Sequence, residues 1–215
     1  SPEKISPPDL DRLLATVDDK SQLNALCYIE GGHAFWQING PNFSWAFNLN
    51  NLQWHERQSY LLPKSRLQSS VYAFRKWLIG DTQAGRLLEL DHTVHEEAGE
   101  HLVAEVESAA VEKFPNRLRV ARTEFELTPG VGIATGADPV QTDPTVEVSW
   151  FDDGGRTWGT PWLRKLGRQG KSEQRIIVLN TGLSGPLGRR WKLRVSDAVH
   201  FGLMGGEMHA ELRRN

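Results

Sequence analysis

The sequence has one cysteine, two methionines, few helix signals and no excess of charge in either sign. A single Cys27 excludes an intrachain disulfide framework and any metal site built from several cysteines. Its place between Leu26 and Tyr28, in an alternating run, reads as a small buried hydrophobe rather than a nucleophile. No apolar stretch approaches the roughly 18 residues that a membrane helix needs, and nothing at the start resembles a signal peptide. Lys and Arg number 25 against 27 Asp and Glu, a net charge of -2, so there is no global drive toward nucleic acid or an anionic membrane. The chain opens Ser1-Pro2-Glu3-Lys4 without a Met, which reads as an engineered truncation or the tail of a longer protein. No glycine-rich phosphate loop is found. Gly182-Leu183-Ser184-Gly185-Pro186 falls short of a nucleophile elbow because Pro186 stands where the last Gly belongs.

What the chain does have is turns and aromatics: 20 Gly, 11 Pro and 8 Trp in 215 residues, a mainly β composition. The one helix signal is Ser6-Pro7-Pro8-Asp9 followed by Leu10, Leu13, Leu14 and Val17, which predicts a short helix over 7–18 with Ser6 as its N-cap. The period then changes to two. Runs at 24–30 and 33–39 flank Gly31-Gly32, a hairpin signal. Leu26 and Tyr28 share one face, and Ala34, Trp36 and Ile38 line a face of the next strand. Strands are expected at 44–49, 53–57, 71–79 and 86–91, giving an antiparallel meander over 21–95 after a linker and helix over 1–20.

From Glu96 a β-sandwich or barrel is expected, a sandwich-like domain over 96–215, with strands at 101–107 and 117–127. In the latter, Leu118 and Val120 are even but Phe125 and Leu127 are odd, a parity flip that predicts a β-bulge near Arg122. Positions 130–144 read as loop. Alternation resumes at Val146/Val148/Trp150, 173–179, Trp191/Leu193/Val195, Val199/Phe201/Leu203 and Met208/Ala210/Leu212, the last two runs reading as a final hairpin.

Candidate chemistry is sparse. His92 and His95, three apart, fall on opposite faces if they lie in a strand. His200 and His209, with Glu207, could face each other across the final hairpin, where an exposed polar pair is preferred to a metal site. No catalytic, metal or cofactor site is assigned. Asp152-Asp153 could in principle serve glycoside hydrolysis, but Phe151-Asp152-Asp153-Gly154-Gly155-Arg156-Thr157-Trp158 resembles the Asp-box hairpin of sialidase-like propellers, a structural turn. There, Asp152, Asp153, Gly154, Gly155 and Thr157 would fix the loop and Trp158 would pack beneath it. Charge is segregated along the chain. Residues 156–194 hold ten bases and one acid, while 81–126 hold eleven acids and five bases. Arg164, Lys165, Arg168 and Lys171 are expected to cluster on one loop-rich stretch, as a contact with DNA phosphates or with another subunit.

Several stretches, in order, resemble a known family: Lys4–Leu10, Gly31-Gly32-His33-Ala34-Phe35-Trp36, Trp45-Ala46-Phe47-Asn48, Gln53-Trp54-His55-Glu56-Arg57, Leu78–Asp91, Asp152–Trp158 and Leu166-Gly167-Arg168-Gln169-Gly170. They are similar to the packaged-DNA stabilisation, or tail hub and nozzle, proteins of short-tailed bacteriophages. The resemblance covers roughly 1–204. It implies a non-enzymatic virion subunit with no cofactor, assembled in the host cytoplasm as a ring of identical copies below the portal and adaptor. Its further partners would be distal tail proteins and, without sequence specificity, packaged DNA; no membrane is involved. The resemblance also implies that the meander over 21–95 forms propeller-type blades, about two of them; family members are longer, and the missing blades would precede Ser1. Trp36, Trp45, Trp54 and Trp77 then read as core. The alternative is a carbohydrate-binding or sialidase-like propeller protein.

Overall fold

The computed structural model describes residues 4–154 and 156–213. The chain divides into two compact units, Ser1–Glu100 and His101–Asn215.

The first unit opens with α1 (Pro8–Ala15). Pro8 at the first helical position suits a helix start because its missing N–H is not needed there. Ser6 is not the cap. Pro7 occupies that position and offers no side-chain acceptor, while Ser6 Oγ donates to Asp11 Oδ1 at 2.7 Å. The helix stops at Ala15, short of Val17, and Lys20 Nζ donates to the carbonyls of Leu14 and Val17 just beyond it. A single 3-10 turn, Lys20–Gln22, leads into the sheets.

Four strands follow as a meander: β1 (Asn24–Glu30), β2 (His33–Asn39), β3 (Ser44–Asn48) and β4 (Gln53–Glu56), in the order β1-β2-β3-β4. The β1–β2 turn is Gly31-Gly32, both at positive φ (56° and 82°), the region a tight hairpin requires and only glycine enters freely. Direct cross-strand partners Cys27, Trp36, Phe47 and Trp54 form one row on one side of the sheet. On that side Ile38, Trp45 and Trp54 pack with Leu10, Val17 and Phe43, so α1 covers part of it.

The opposite side carries Leu26, Tyr28 and Phe35, which pack with Leu67, Trp77 and Ile79. Those residues belong to a second meander of β5 (Leu67–Ala73), β6 (Lys76–Asp81) and β7 (Leu87–Leu90). The expected strand 71–79 is thus two strands. They turn at Phe74-Arg75, both at positive φ (53° and 63°) without a glycine to signal it. Three further corrections concern side chains. Cys27 is exposed, because it faces away from Leu26 and Tyr28. The buried alternation of β2 includes Gln37 and Asn39 rather than apolar residues alone, with Gln37 fully buried. Trp36, Trp45, Trp54 and Trp77 are half-buried, at the margins of the core rather than in it.

β8 (Glu96–Glu97) and β9 (Glu100–His101) make a two-residue hairpin, after which β10 (Ala104–Glu107) begins the second unit proper. Its other strands are β11 (Arg117–Leu127), β12 (Thr145–Phe151), β13 (Trp162–Lys165), β14 (Ile176–Leu183), β15 (Arg190–Val195) and β16 (Leu203–Arg213). They form a four-stranded sheet, β10-β15-β12-β13, and a three-stranded sheet, β14-β11-β16, with every pairing antiparallel. One core joins the two: Leu118, Val120 and Phe125 of β11 and Ile176 and Val178 of β14 meet Val146 and Val148 of β12 and Trp191, Leu193 and Val195 of β15. This is a β-sandwich. Each fully buried Val contributes on the order of 1.5–3 kcal/mol through burial.

The register of β11 against both neighbours shifts between Val120 and Arg122, and its burial switches from even to odd there. The bulge keeps one apolar side inward across an eleven-residue strand. Val199 and Phe201 are not in a strand. β16 starts only at Leu203 and runs alone beside β11, so there is no terminal hairpin.

Candidate functional site

Candidate residues concentrate at the end of β12. Phe151 closes the strand and is buried, and the chain then loops through 152–161 before β13. Asp153 organises the loop from within. It accepts from the backbone N–H of Arg156 at 3.0 Å and from Thr157 Oγ1 at 2.6 Å, an arrangement that short acidic side chains favour in turns. Gly154 sits at φ 76°; Gly155 lies outside the described residues. Trp158 is half-buried. It packs edge-on against Phe151, with ring centroids 4.3 Å apart, and Lys192 Nζ lies 4.8 Å from its ring centroid.

Asp152 does something different. Its two carboxylate oxygens accept from Nε and Nη2 of Arg189 at 2.8 and 2.7 Å. The Arg189 side chain is fully buried. Its remaining N–H groups donate to Thr181 Oγ1 and to the Thr181 and Leu183 carbonyls, and the guanidinium lies over Trp150 and Trp191 at 5.7 and 5.8 Å. Those two rings are cross-strand partners, continued on either side by Trp162 and Phe125. A bidentate ion pair with a fully buried guanidinium therefore caps the aromatic end of the sandwich core. Gly185 permits the close approach, since a Cβ there would fall 1.7 Å from the Asp152 carbonyl oxygen. Sequence alone does not single out Arg189: it is one more cation in a basic run, and only the fold brings it to Asp152.

The basic segment is largely neutralised within its own unit. On β15, Arg190, Lys192 and Arg194 alternate with the core residues and face acids of neighbouring strands. Arg190 pairs with Glu107, Lys192 with Glu105 and Arg194 with Glu147, at 3.1, 2.9 and 3.1 Å. Two of these acids come from the acidic stretch 81–126. The sequence asymmetry thus becomes a ladder of cross-strand pairs.

Arg164, Lys165, Arg168 and Lys171 do not share a loop, because Arg164 and Lys165 lie on β13. Consecutive strand residues point apart. Arg164 donates to the Ile177 carbonyl and lies over Trp162, whereas Lys165 and Arg168 both meet Asp143. Those two cations hold the Asp143 carboxyl below its usual range, chiefly through the Lys165 hydrogen bond. Lys171 follows in the next loop, its N–H donating to the Arg168 carbonyl. Arg175 pairs with Glu124 at 3.5 Å. Among the described residues, seven of the ten bases in 156–194 pair with a carboxylate.

The first unit holds two buried polar networks that sequence reading missed. Arg57 bridges Tyr28 Oη and Glu30; Gln37 Nε2 donates to Asn39 Oδ1, and Asn39 Nδ2 to the Leu67 carbonyl. Burial pushes the Tyr28 phenol up. Asp81, with a fully buried side chain, accepts from Arg66, Arg86 and the Gln83 N–H. Arg66 above all holds its carboxyl far below the usual range. Both networks are closed on themselves. His92 and His95 lie in the connection between β7 and β8. His200 precedes β16, and His209 stands opposite Arg122. No group of three or more metal-ligating residues occurs among the described residues. None of the described helices is long and apolar enough to cross a membrane.

No curated protein matches the chain in sequence. Among solved structures, the exo-beta-1,3-galactanase of Phanerochaete chrysosporium with galactose is 13% identical, with a TM-score of 0.31 over 88% of this chain and 57% of that one. A variant of the same enzyme with beta-1,3-galactotriose gives 12% and 0.28 over the same shares. The chain thus spans little more than half of those proteins, and likeness at this level bears on neither fold nor chemistry. The family model that matches is "Bacteriophage P22 Gp10, beta-sandwich", over residues 106–211. Those residues run from the end of β10 to the end of β16, the two-sheet core described above. The C-terminal part of the chain, over 106–211, belongs to the bacteriophage P22 Gp10 beta-sandwich family.

Proposed function

We propose that this chain is a non-enzymatic structural component of a phage tail. The observation that carries the reading is the family match across the whole sandwich. In the finer reading, copies of the chain form a ring below the portal and adaptor, joined distally to other tail proteins. The ring continues the DNA exit channel and helps retain packaged DNA, and the chain ends in the virion after assembly in the host cytoplasm. The meander β1–β4 has the four antiparallel strands of a propeller blade, and β5–β7 has three of them, which supports a propeller-type first part.

Contact with DNA would be modest and would not depend on base sequence. Most cations of 156–194 are engaged inside the sheet, which leaves Arg156, Arg164 and Lys171 as the residues of that run for phosphate or subunit contact. The carbohydrate alternative loses its carboxylate pair, because Asp152 is tied to Arg189 and Asp153 to its own loop.

Deleting the gene from the phage or prophage that encodes it tests the reading. Heads that package but then lose their DNA, with tails ending below the portal, are expected by electron microscopy. Complete tails and normal DNA retention would overturn it.

A further inference from the structure

β16 is the outer strand of its sheet and pairs with β11 alone, so along 203–213 its other side has no strand neighbour among the described residues. A free edge of eleven residues without proline is a ready template for another strand. The inward-facing side of β16 is also uncovered toward its end. Leu212 is 57% exposed, although its partner Leu118 and the neighbouring Val120 are buried. The other side of the strand carries Glu207, His209, Glu211 and Arg213 in alternation, all exposed.

We propose that β16 pairs with β16 of a second copy, antiparallel, about a two-fold axis through Ala210, so that two three-stranded sheets become one of six. Charge selects this register. Centred on Ala210, Glu207 faces the partner's Arg213 and Glu211 faces the partner's His209. On the opposite side Met208 faces the partner's Leu212, and Ala210 faces the partner's Ala210. Centring on His209 would set Glu207 against the partner's Glu211. Centring on Glu211 would set Glu211 against its own counterpart and His209 against the partner's Arg213. Centring on Met208 would pair Glu207 with the partner's His209 but leave Glu211 and Arg213 opposite uncharged residues. Only the axis at Ala210 sets both Glu207 against an arginine and Glu211 against an imidazole that can donate to it.

In the single chain these groups pair along the strand instead, His209 with Glu207 at 3.5 Å and Arg213 with Glu211 at 2.8 Å. Such exposed pairs hold little, so exchanging them for cross-strand pairs sacrifices little while Leu212 and the free backbone edge are covered. The contact is isologous, so it belongs to the free chain: in a cyclic ring whose copies all point the same way, no two copies meet about such an axis. It does not rest on the tail reading.

The test uses the full chain with Cys27→Ser, since Cys27 is itself exposed. Sedimentation up to about 100 µM should show a monomer–dimer equilibrium. Glu207→Arg or Arg213→Glu alone should weaken dimerisation roughly tenfold, because each like-charge pair occurs twice. The double exchange should restore it. Ala210→Cys should cross-link to its counterpart on oxidation, and Met208→Cys should not. A chain that stays monomeric, an exchange that fails to rescue, or a cross-link at 208 in place of 210 would each overturn the proposal. Circular dichroism of each variant separates loss of pairing from loss of fold.

Discussion

Arg189 and Asp81 show what a single buried charge demands of its surroundings. Arg189 has no water to fall back on; its N–H groups are taken up by Asp152, Thr181 and Leu183. Replacing it with Met keeps the length but strands Asp152 and the backbone carbonyls. Removing one partner of such a pair typically costs about 3–5 kcal/mol. Arg189→Met should lower the urea midpoint of the sandwich accordingly, and Arg189→Lys should recover little, because an ammonium cannot engage both carboxylate oxygens in a planar fork. A midpoint close to wild type in either variant would mean that the pair is not the cap of the core. Asp81 makes a prediction in pH. Its folded pKa lies below its unfolded one, so its stabilisation is fully present above about pH 4 and is lost as the pH falls through the folded value. Asp81→Asn should therefore reduce stability at pH 7 and flatten the acid limb of the stability curve. An unchanged acid limb would contradict the assignment.

At the scale of elements, the sequence was most legible where one physical rule decides the outcome. Gly31-Gly32 fixes the β1–β2 hairpin, and the parity flip between Val120 and Phe125 fixes the bulge in β11, since only an extra residue keeps both apolar runs inward. It was least legible where packing overrides the local rule. Phe74-Arg75 forms a two-residue turn with both residues at positive φ, a conformation that costs L-residues roughly 1–2 kcal/mol each. Nothing local announces it; the pairing of Leu67–Ala73 with Lys76–Asp81 imposes it. Cys27 misled for a related reason, since alternation gives the two faces of β1 but not which one is covered. The candidate site was half legible. Asp153 and Thr157 act inside seven residues of sequence, whereas the partner of Asp152 lies 37 positions away. The strained turn gives a test. Phe74 is 88% exposed and contributes little packing, so Phe74→Asn with Arg75→Gly should stabilise the first unit by about 1–2 kcal/mol, read as a rise in melting temperature. A fall would show that the Phe74 side chain holds something in place.

For the molecule as a whole, the distribution of cores decides how it unfolds. The sandwich core draws on Val106 to Met208, and the two smaller clusters of the first unit draw on Leu10 to Leu90. The charge ladder follows the same division: Glu105, Glu107 and Glu147 meet Arg190, Lys192 and Arg194 inside one sheet. Glu105 and Glu107 of the acidic stretch and Lys192 and Arg190 of the basic one are, in the fold, on adjacent strands of a single unit, while Asp81 to Glu100 belong to the other unit. A domain with its own apolar core and internally matched charges should fold by itself. The segment 101–215, expressed alone, should therefore unfold in one cooperative transition, with a midpoint near that of the sandwich in the whole chain. Added salt should shift that midpoint only slightly, because exposed cross-strand pairs are individually weak and the fully buried Arg189 is screened little. Differential scanning calorimetry of the segment and the whole chain at low and high salt measures both. A segment that shows no transition, or one that melts far below its counterpart in the whole chain, would mean that residues 1–100 supply stabilisation absent from the sandwich's own core.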